Sequence, residues 1–267
     1  MPSSWSDLKS RYPGWALVTG ASSGIGLGFA DALAKSGLDV VLVARGEKRL
    51  REAAAELADR HKVRTRVVVQ DLAEAGAAQR VCDAVGELDI GILVNNAGTG
   101  WIGRFDHQPL ENHTQLVALH CTAPVELTGL LLPRMQSRGR GAVVLVASAG
   151  GYVPLPYYAV YSGTKAFLAT WGEALAAELD GGGVDLLVVA PGDTKTNFQA
   201  VAGEMSTRWM TVEAVVSESL AGLGKKTVVV PGLADKLSVL LTRFLPRRVL
   251  IRIVAARQRA QTPADRR

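Results

Sequence analysis

The chain has 267 residues, 48 % of them apolar and 28 of them glycine, with a formal net charge of +5. That composition excludes a charged disordered polymer, the length suffices for one large α/β domain, and no stretch is read as approaching the 18 or so apolar residues that span a bilayer. The charge is uneven: from Asp235 to Arg267 nine Lys or Arg stand against two Asp or Glu, a balance of +7, while residues 1–234 carry −2. The body therefore offers no basic face of the kind that binds nucleic acid. The opening MPSSWSDLKSRYPG has no apolar core of the secretory kind, and Cys82 and Cys121 read as reduced thiols, so a cytoplasmic protein is expected.

Apolar runs predict strands at 15–20, 39–45, 65–71, 89–98, 141–148, 184–192 and 226–232. Helix-like stretches lie between them: after Gly24, then 47–60, 73–86, 111–136 and 157–180. Strands that are apolar on both faces and separated by helices predict an α/β fold, a doubly wound parallel sheet covered on both sides. Residues 1–234 form one domain in this reading, with a segment 193–215 over the sheet containing Met205, Trp209 and Met210. Residues 235–267 form a helical extension in which Leu237, Leu240, Leu241, Phe244 and Leu245 recur at helical spacing before Pro246. That basic amphipathic tail can lie on an anionic membrane surface or cover the domain or another subunit.

The first predicted strand runs into TGASSGIG, residues 19–26. A glycine turn can be purely structural, but after a strand and at the start of a helix it lets the backbone approach a pyrophosphate held at the helix N-terminus. In YYAVYSGTK, residues 157–165, only Tyr161 has a lysine four places on, which on a helix aims the phenol and the Lys165 ammonium in one direction. Tyr157 and Tyr158 have no such partner and are read as packing beneath the substrate mouth or lining it. A phenol that titrates near pH ~10 would have to fall by roughly 3 pH units, about 4 kcal/mol, to act as a base near neutrality. A neighbouring ammonium has the right sign for that.

Taken together, the glycine turn at 19–26, NNAG at 95–98, Ser148 and YxxxK at 161–165 resemble the short-chain dehydrogenase/reductase family over nearly all of residues 14–232. The resemblance implies a Rossmann fold and hydride transfer between a nicotinamide and a carbonyl or alcohol carbon. In that scheme Ser148 binds the carbonyl oxygen, Tyr161 delivers the proton and Lys165 holds the cofactor ribose. The implied cofactor-binding residues are Gly20, Ser22, Ser23, Gly24, Ile25, Gly26, Arg45, Asp71, Leu72, Asn96, Ala97, Gly98, Tyr161, Lys165, Pro191, Gly192, Thr194 and Thr196, the last four within PGDTKTNF at 191–198. Arg45 after the second strand, where a carboxylate would suit a ribose 2′-hydroxyl, points to NADP(H). Ser23 stands where NADP(H)-specific members often add a second basic residue. AGTGWIG at 97–103 and the tail resemble a bacterial-type subgroup of reductases, and a homodimer or homotetramer is implied.

One position departs from the family's pattern. Its run V-N-x-x-A-P reads LHCTAP at 119–124, so His120 replaces the asparagine that anchors a relay water. A neutral imidazole can still hold a water, being both donor and acceptor, so His120 joins the expected catalytic set with Ser148, Tyr161 and Lys165. The alternatives are an adaptation to one substrate, or a cofactor-binding protein without turnover. Cys121 and His120 point about 100 degrees apart on a helix, and His61, His107 and His113 have no ligand spacing, so no metal is expected. Met205, Trp209 and Met210 suit an apolar substrate, as does Trp101 opposite; ordinary loop packing explains them equally well.

Overall fold

The computed structural model describes residues 7–196, 210–242, 244–263 and 266–267. Seven strands form its centre: β1 (Trp15–Thr19), β2 (Asp39–Ala44), β3 (Thr65–Val69), β4 (Ile90–Asn95), β5 (Gly141–Val146), β6 (Val184–Val189) and β7 (Val228–Val229). All pairings are parallel, in the order β3-β2-β1-β4-β5-β6-β7. This is the doubly wound α/β sheet expected from the alternation of apolar runs and amphipathic segments. Neighbouring strand residues face opposite layers, so Val18 and Leu42 join one core with Phe29, Leu33 and Leu50. Leu17, Val41 and Val43 join the other with Val81, Leu127 and Leu168.

The helices α1 (Leu8–Arg11), α2 (Gly24–Lys35) and α3 (Glu47–His61) come first, followed by α4 (Ala77–Val85), α5 (Leu110–Val117), α6 (Ala123–Ser137) and α7 (Ala159–Glu178). Then come α8 (Val212–Gly222), α9 (Leu233–Leu241) and α10 (Arg247–Gln261). Helix α7 starts two residues later than the sequence suggests, because Tyr157 sits at φ 66 after Pro156, a left-handed conformation that no helix continues. Helix α4 likewise starts at Ala77 instead of 73, behind Gly76 at φ 71.

Helices α5 and α6 are joined by a π-helical turn, Ala118–Thr122, so residues 110–137 form one continuous run. Contrary to the sequence expectation, this run is long and apolar enough to cross a membrane by length and composition. In the fold Leu116, His120, Ala123, Leu127, Leu131 and Met135 form one buried face against the sheet and its neighbouring helices, while Leu110, Val117, Val125 and Leu130 are exposed.

Strand order reverses between β1 and β4, which leaves a crevice outside the carboxyl ends of those two strands. Thr19 and Asn95 end the two strands there. The Thr19 hydroxyl accepts from the amides of Asn96 and Ala97, both at 2.9 Å, and the Asn96 side chain donates to the Thr19 carbonyl at 2.8 Å.

Candidate functional site

The crevice opens into a cleft of about 730 Å³. Its wall on the β1 side is the turn from Gly20 to Ile25. Gly20 has φ 67, a conformation that favours glycine, and a Cβ there would fall 2.7 Å from the Asn96 side-chain nitrogen. Gly26 lies behind the turn, outside the cleft, and a Cβ on it would strike the Gly20 carbonyl oxygen and the same Asn96 amide. Both glycines therefore serve the close approach of the β1 and β4 turns, and only Gly20 faces the cleft. Ser23 precedes α2 with no side-chain hydrogen bond to that helix.

Of the residues expected at a cofactor, Gly20, Ser22, Ser23, Gly24, Ile25, Arg45, Asp71, Leu72, Asn96, Ala97, Gly98, Pro191, Gly192, Thr194 and Thr196 line this one cleft with Ser148, Tyr161 and Lys165. Gly26 and His120 do not. Asp71 turns one carboxylate oxygen to the Ala73 amide at 3.0 Å and the other to the Arg45 guanidinium at 3.4 Å. Arg45 is 68 % exposed at the cleft edge. Arg49, in the first turn of α3, lines the same end and forms no ion pair among the described residues. The sequence reading missed it, although its place four residues after Arg45 was the available signal.

At the other end, Ser148 caps a short 3-10 turn, accepting from the Gly150 amide at 3.0 Å and reaching the Pro191 carbonyl at a loose 3.4 Å. Its hydroxyl proton is only weakly committed. Lys165, 4 % exposed, donates to the Val146 carbonyl at 2.8 Å, with its ammonium 5.9 Å from the Tyr161 ring centroid. Burial lowers the Lys165 pKa from 10.5 to about 8, which leaves the amine charged at neutral pH.

His120 is wholly buried. Its Nε2 accepts from the Thr99 amide at 3.1 Å, and its Nδ1 meets the Thr164 hydroxyl at 2.9 Å. That hydroxyl already donates to the Tyr161 carbonyl at 2.8 Å, so it can only accept from the ring, and the neighbours thereby select the neutral Nδ1–H tautomer. Both ring nitrogens are taken by protein groups. The ring nitrogens that the sequence reading expected to hold a relay water are bonded here to protein groups, and the ring clamps the turn after β4 to the helix carrying Tyr161 and Lys165.

The tail lines one side of the cleft. Leu241, Leu245, Leu250, Ile253, Val254, Arg257, Gln258 and Gln261 line it opposite Val153, Leu155 and Tyr158. Asp193 reaches Arg257 at 3.7 Å, and Lys236 pairs with Glu218 at 2.9 Å. Residues 255, 256, 259 and 260 of α10 instead line a second cavity of about 810 Å³ with Trp101, Arg104 and Tyr157. Trp101 therefore faces this neighbouring cavity, with the Arg266 guanidinium 5.3 Å from its ring, and does not wall the cleft. Tyr158 and Tyr161 stand between the two spaces and line both. Met205 and Trp209 lie outside the described residues; Met210 pairs with the other end of that segment through Asp193 and Lys195. Among the described residues no three His, Cys, Asp or Glu gather as metal ligands.

A glycine turn at the switch point of a doubly wound sheet, opening on a cleft with a tyrosine and a buried lysine, defines a Rossmann-type α/β fold with these groups gathered at one crevice. The chain belongs to the short chain dehydrogenase family, whose model matches residues 14–207. It is 39 % identical over 181 residues to the very-long-chain 3-oxoacyl-CoA reductase of Phaeosphaeria nodorum, covering 66 % of this chain and 53 % of that protein. The chain thus spans about half the length of the curated relatives it matches. Among solved structures, one from a study of 7beta-hydroxysteroid dehydrogenase stereoselectivity superposes with a TM-score of 0.85 at 30 % identity, covering 92 % of this chain and 98 % of that one. A short-chain dehydrogenase from Sphingobium yanoikuyae in complex with NADPH gives 0.79 at 33 %, covering 86 % and 93 %.

The two buried bases make pH predictions of the same sign in two different windows. For Lys165 the unfolded chain binds a proton up to about pH 10.5 and the folded chain only to about pH 8, so stability rises with pH through that window. Below it the buried charge costs roughly 3 kcal/mol. Lys165→Met should therefore raise the Tm of the cofactor-free protein at pH 7, and the advantage should shrink towards pH 10.5; equal gains at both ends would contradict the assignment. His120 is held well below 6.5 by burial and by the Lys165 charge, so beneath pH 6.5 only the unfolded chain takes its proton. Stability then falls with acid, and urea titrations between pH 6.5 and 5 should show the parent losing stability more steeply than His120→Asn. Parallel curves would mean that His120 titrates normally.

Proposed function

We propose that the protein is an NADP(H)-dependent oxidoreductase that interconverts a carbonyl and an alcohol on a bulky, largely apolar substrate. The observation that carries this reading is the convergence of the glycine turn, the 96–98 turn, Ser148, Tyr161 and Lys165 on one cleft. The names of the relatives support carbonyl reduction, and the NADPH complex among the structural neighbours supports the cofactor class.

The residues present fit a dinucleotide. Gly20 leaves open backbone beside the start of α2, where amides favour a pyrophosphate, and Arg45 and Arg49, at the end of the adjacent strand β2 and in α3, offer two guanidinium groups for a 2′-phosphate. The bound nicotinamide would supply or accept the hydride. Ser148, with its loosely held proton, would donate to the substrate oxygen. Tyr161 would exchange the proton with that oxygen, helped by the ammonium beside its ring. Lys165 has one N–H on the Val146 carbonyl and the remaining two for groups in the cleft. The non-catalytic alternative drew on His120 alone, and the bonds of that ring give it no support. Exposed Leu237, Leu240 and Phe244 beside Arg247, Arg248 and Arg252 support a tail surface that meets a second copy of this chain or an anionic membrane surface.

Tyr161→Phe should lower NADPH-dependent ketone reduction at least ~100-fold while NADPH affinity, read by fluorescence, stays within about threefold. Retained turnover would refute the role of Tyr161. Replacing Arg45 and Arg49 together with alanine should weaken NADPH binding about 10- to 100-fold and leave NADH unaffected. If both cofactors weaken equally, the NADP(H) preference is wrong.

A further inference from the structure

The side of α10 that faces the cleft includes Leu250, Val254, Gln258 and Gln261, positions that recur at helical spacing and turn from apolar to polar along the helix. Leu250 and Gln258 are its two buried residues. Gln258 is 8 % exposed, and its backbone carbonyl is occupied by the Thr262 amide at 2.9 Å and the Thr262 hydroxyl at 2.7 Å. Its side-chain Oε1 is buried with no hydrogen-bond partner. The cleft it lines is also walled by Leu241, Leu245, Leu250, Ile253 and Val254. Arg257, the adjacent polar residue of the helix, is turned to Asp193.

A buried amide oxygen without a donor is disfavoured in the folded protein unless something that enters the cleft supplies one. We infer that Gln258 is the polar anchor of the substrate end, its Oε1 accepting a hydrogen bond from a hydroxyl or N–H that the substrate carries away from its reacting carbonyl, on an otherwise apolar and bulky skeleton. This rests on the oxidoreductase reading above. It makes Gln258 a specificity-determining residue, because a site built to hydrogen-bond a substrate hydroxyl rejects the analogue lacking it far more strongly than an apolar wall rejects a missing methylene. The carboxamide of a nicotinamide is a second source of N–H donors, so the test must separate the two.

The probes are 1-decalone and 1-decalones hydroxylated on the ring that lacks the carbonyl. Their affinities are measured by calorimetry on NADPH-loaded Tyr161→Phe protein, where binding is read without turnover, with Gln258 intact, Gln258→Leu and Gln258→Glu. With Gln258 intact, at least one hydroxylated decalone should bind about tenfold tighter than 1-decalone. Gln258→Leu should erase that difference with 1-decalone and NADPH affinities within about threefold, and Gln258→Glu, which keeps an acceptor, should preserve it. The inference is overturned if no hydroxylated decalone is preferred, if the preference survives Gln258→Leu, or if Gln258→Leu weakens NADPH binding, which would assign the amide to the nicotinamide. Reduction of 1-decalone by the Gln258→Leu protein with Tyr161 intact tests the oxidoreductase reading separately, since it needs no anchor.

Discussion

The knot between the carboxyl ends of β1 and β4 is the constraint on which the site depends. One threonine hydroxyl accepts two successive amides, those of Asn96 and Ala97, and the Asn96 side chain returns a bond to the Thr19 carbonyl. These bonds satisfy backbone groups at the place where strand order reverses and no further strand can pair with them. They also bring two chain turns so close that side chains at Gly20 and Gly26 are excluded. The cleft exists because this contact is dense: the turns are locked to each other behind it and expose backbone in front.

Helix α7 is fixed to the same frame by two polar attachments that burial makes expensive and specific. Lys165 crosses to the Val146 carbonyl at the end of β5, and the Thr99–His120–Thr164 chain ends on the carbonyl of Tyr161 itself. A hydrophobic contact would hold the helix as firmly but would tolerate sliding; a chain of directed hydrogen bonds sets one position. The cost falls on Lys165, whose charge is desolvated, and a site that must present an ammonium beside a phenol cannot avoid that cost. The π-helical turn at 118–122 sits where His120 must reach α7.

Much of this was legible in the sequence. The strands could be read because a sheet covered on both faces requires unbroken apolar runs, and Tyr161 could be chosen over Tyr157 and Tyr158 because only it has a lysine one helical turn on. What escaped had non-local or conformational causes. The start of α7 depends on the left-handed Tyr157, which propensity disfavours, and whose carbonyl accepts from the Gly103 amide at 2.8 Å across the fold. Helix 110–137 reads as membrane-compatible by composition, yet its buried residues form one stripe that only the sheet explains. His120 was marked by family pattern as a relay residue, but the partners that claim its ring, Thr99 and Thr164, lie 21 and 44 positions away. Arg49 and Gln258 carry no motif, and their meaning comes from the cleft they face.

The two ends of the cleft differ in how firmly they are built. The glycine-turn side of the cleft is made by strand ends and turns anchored in two continuous cores, whereas the tail side is lined by α9, which buries no residue, and α10, which buries two. The attachments of this tail to the body include Lys236 to Glu218 and Arg257 to Asp193, partly exposed pairs of a kind worth about 0–1 kcal/mol each, together with the Arg104 amide on the Arg266 carbonyl. Local opening free energies follow buried contact, so the tail lies at the low end of the stability range and the glycine turn near the high end. The bonds that position Tyr161 and Lys165 belong to the body and do not involve this tail. The Tyr161–Lys165 pair and the cleft's outer lining thus belong to different parts of the chain, the near-neutral body and the basic tail.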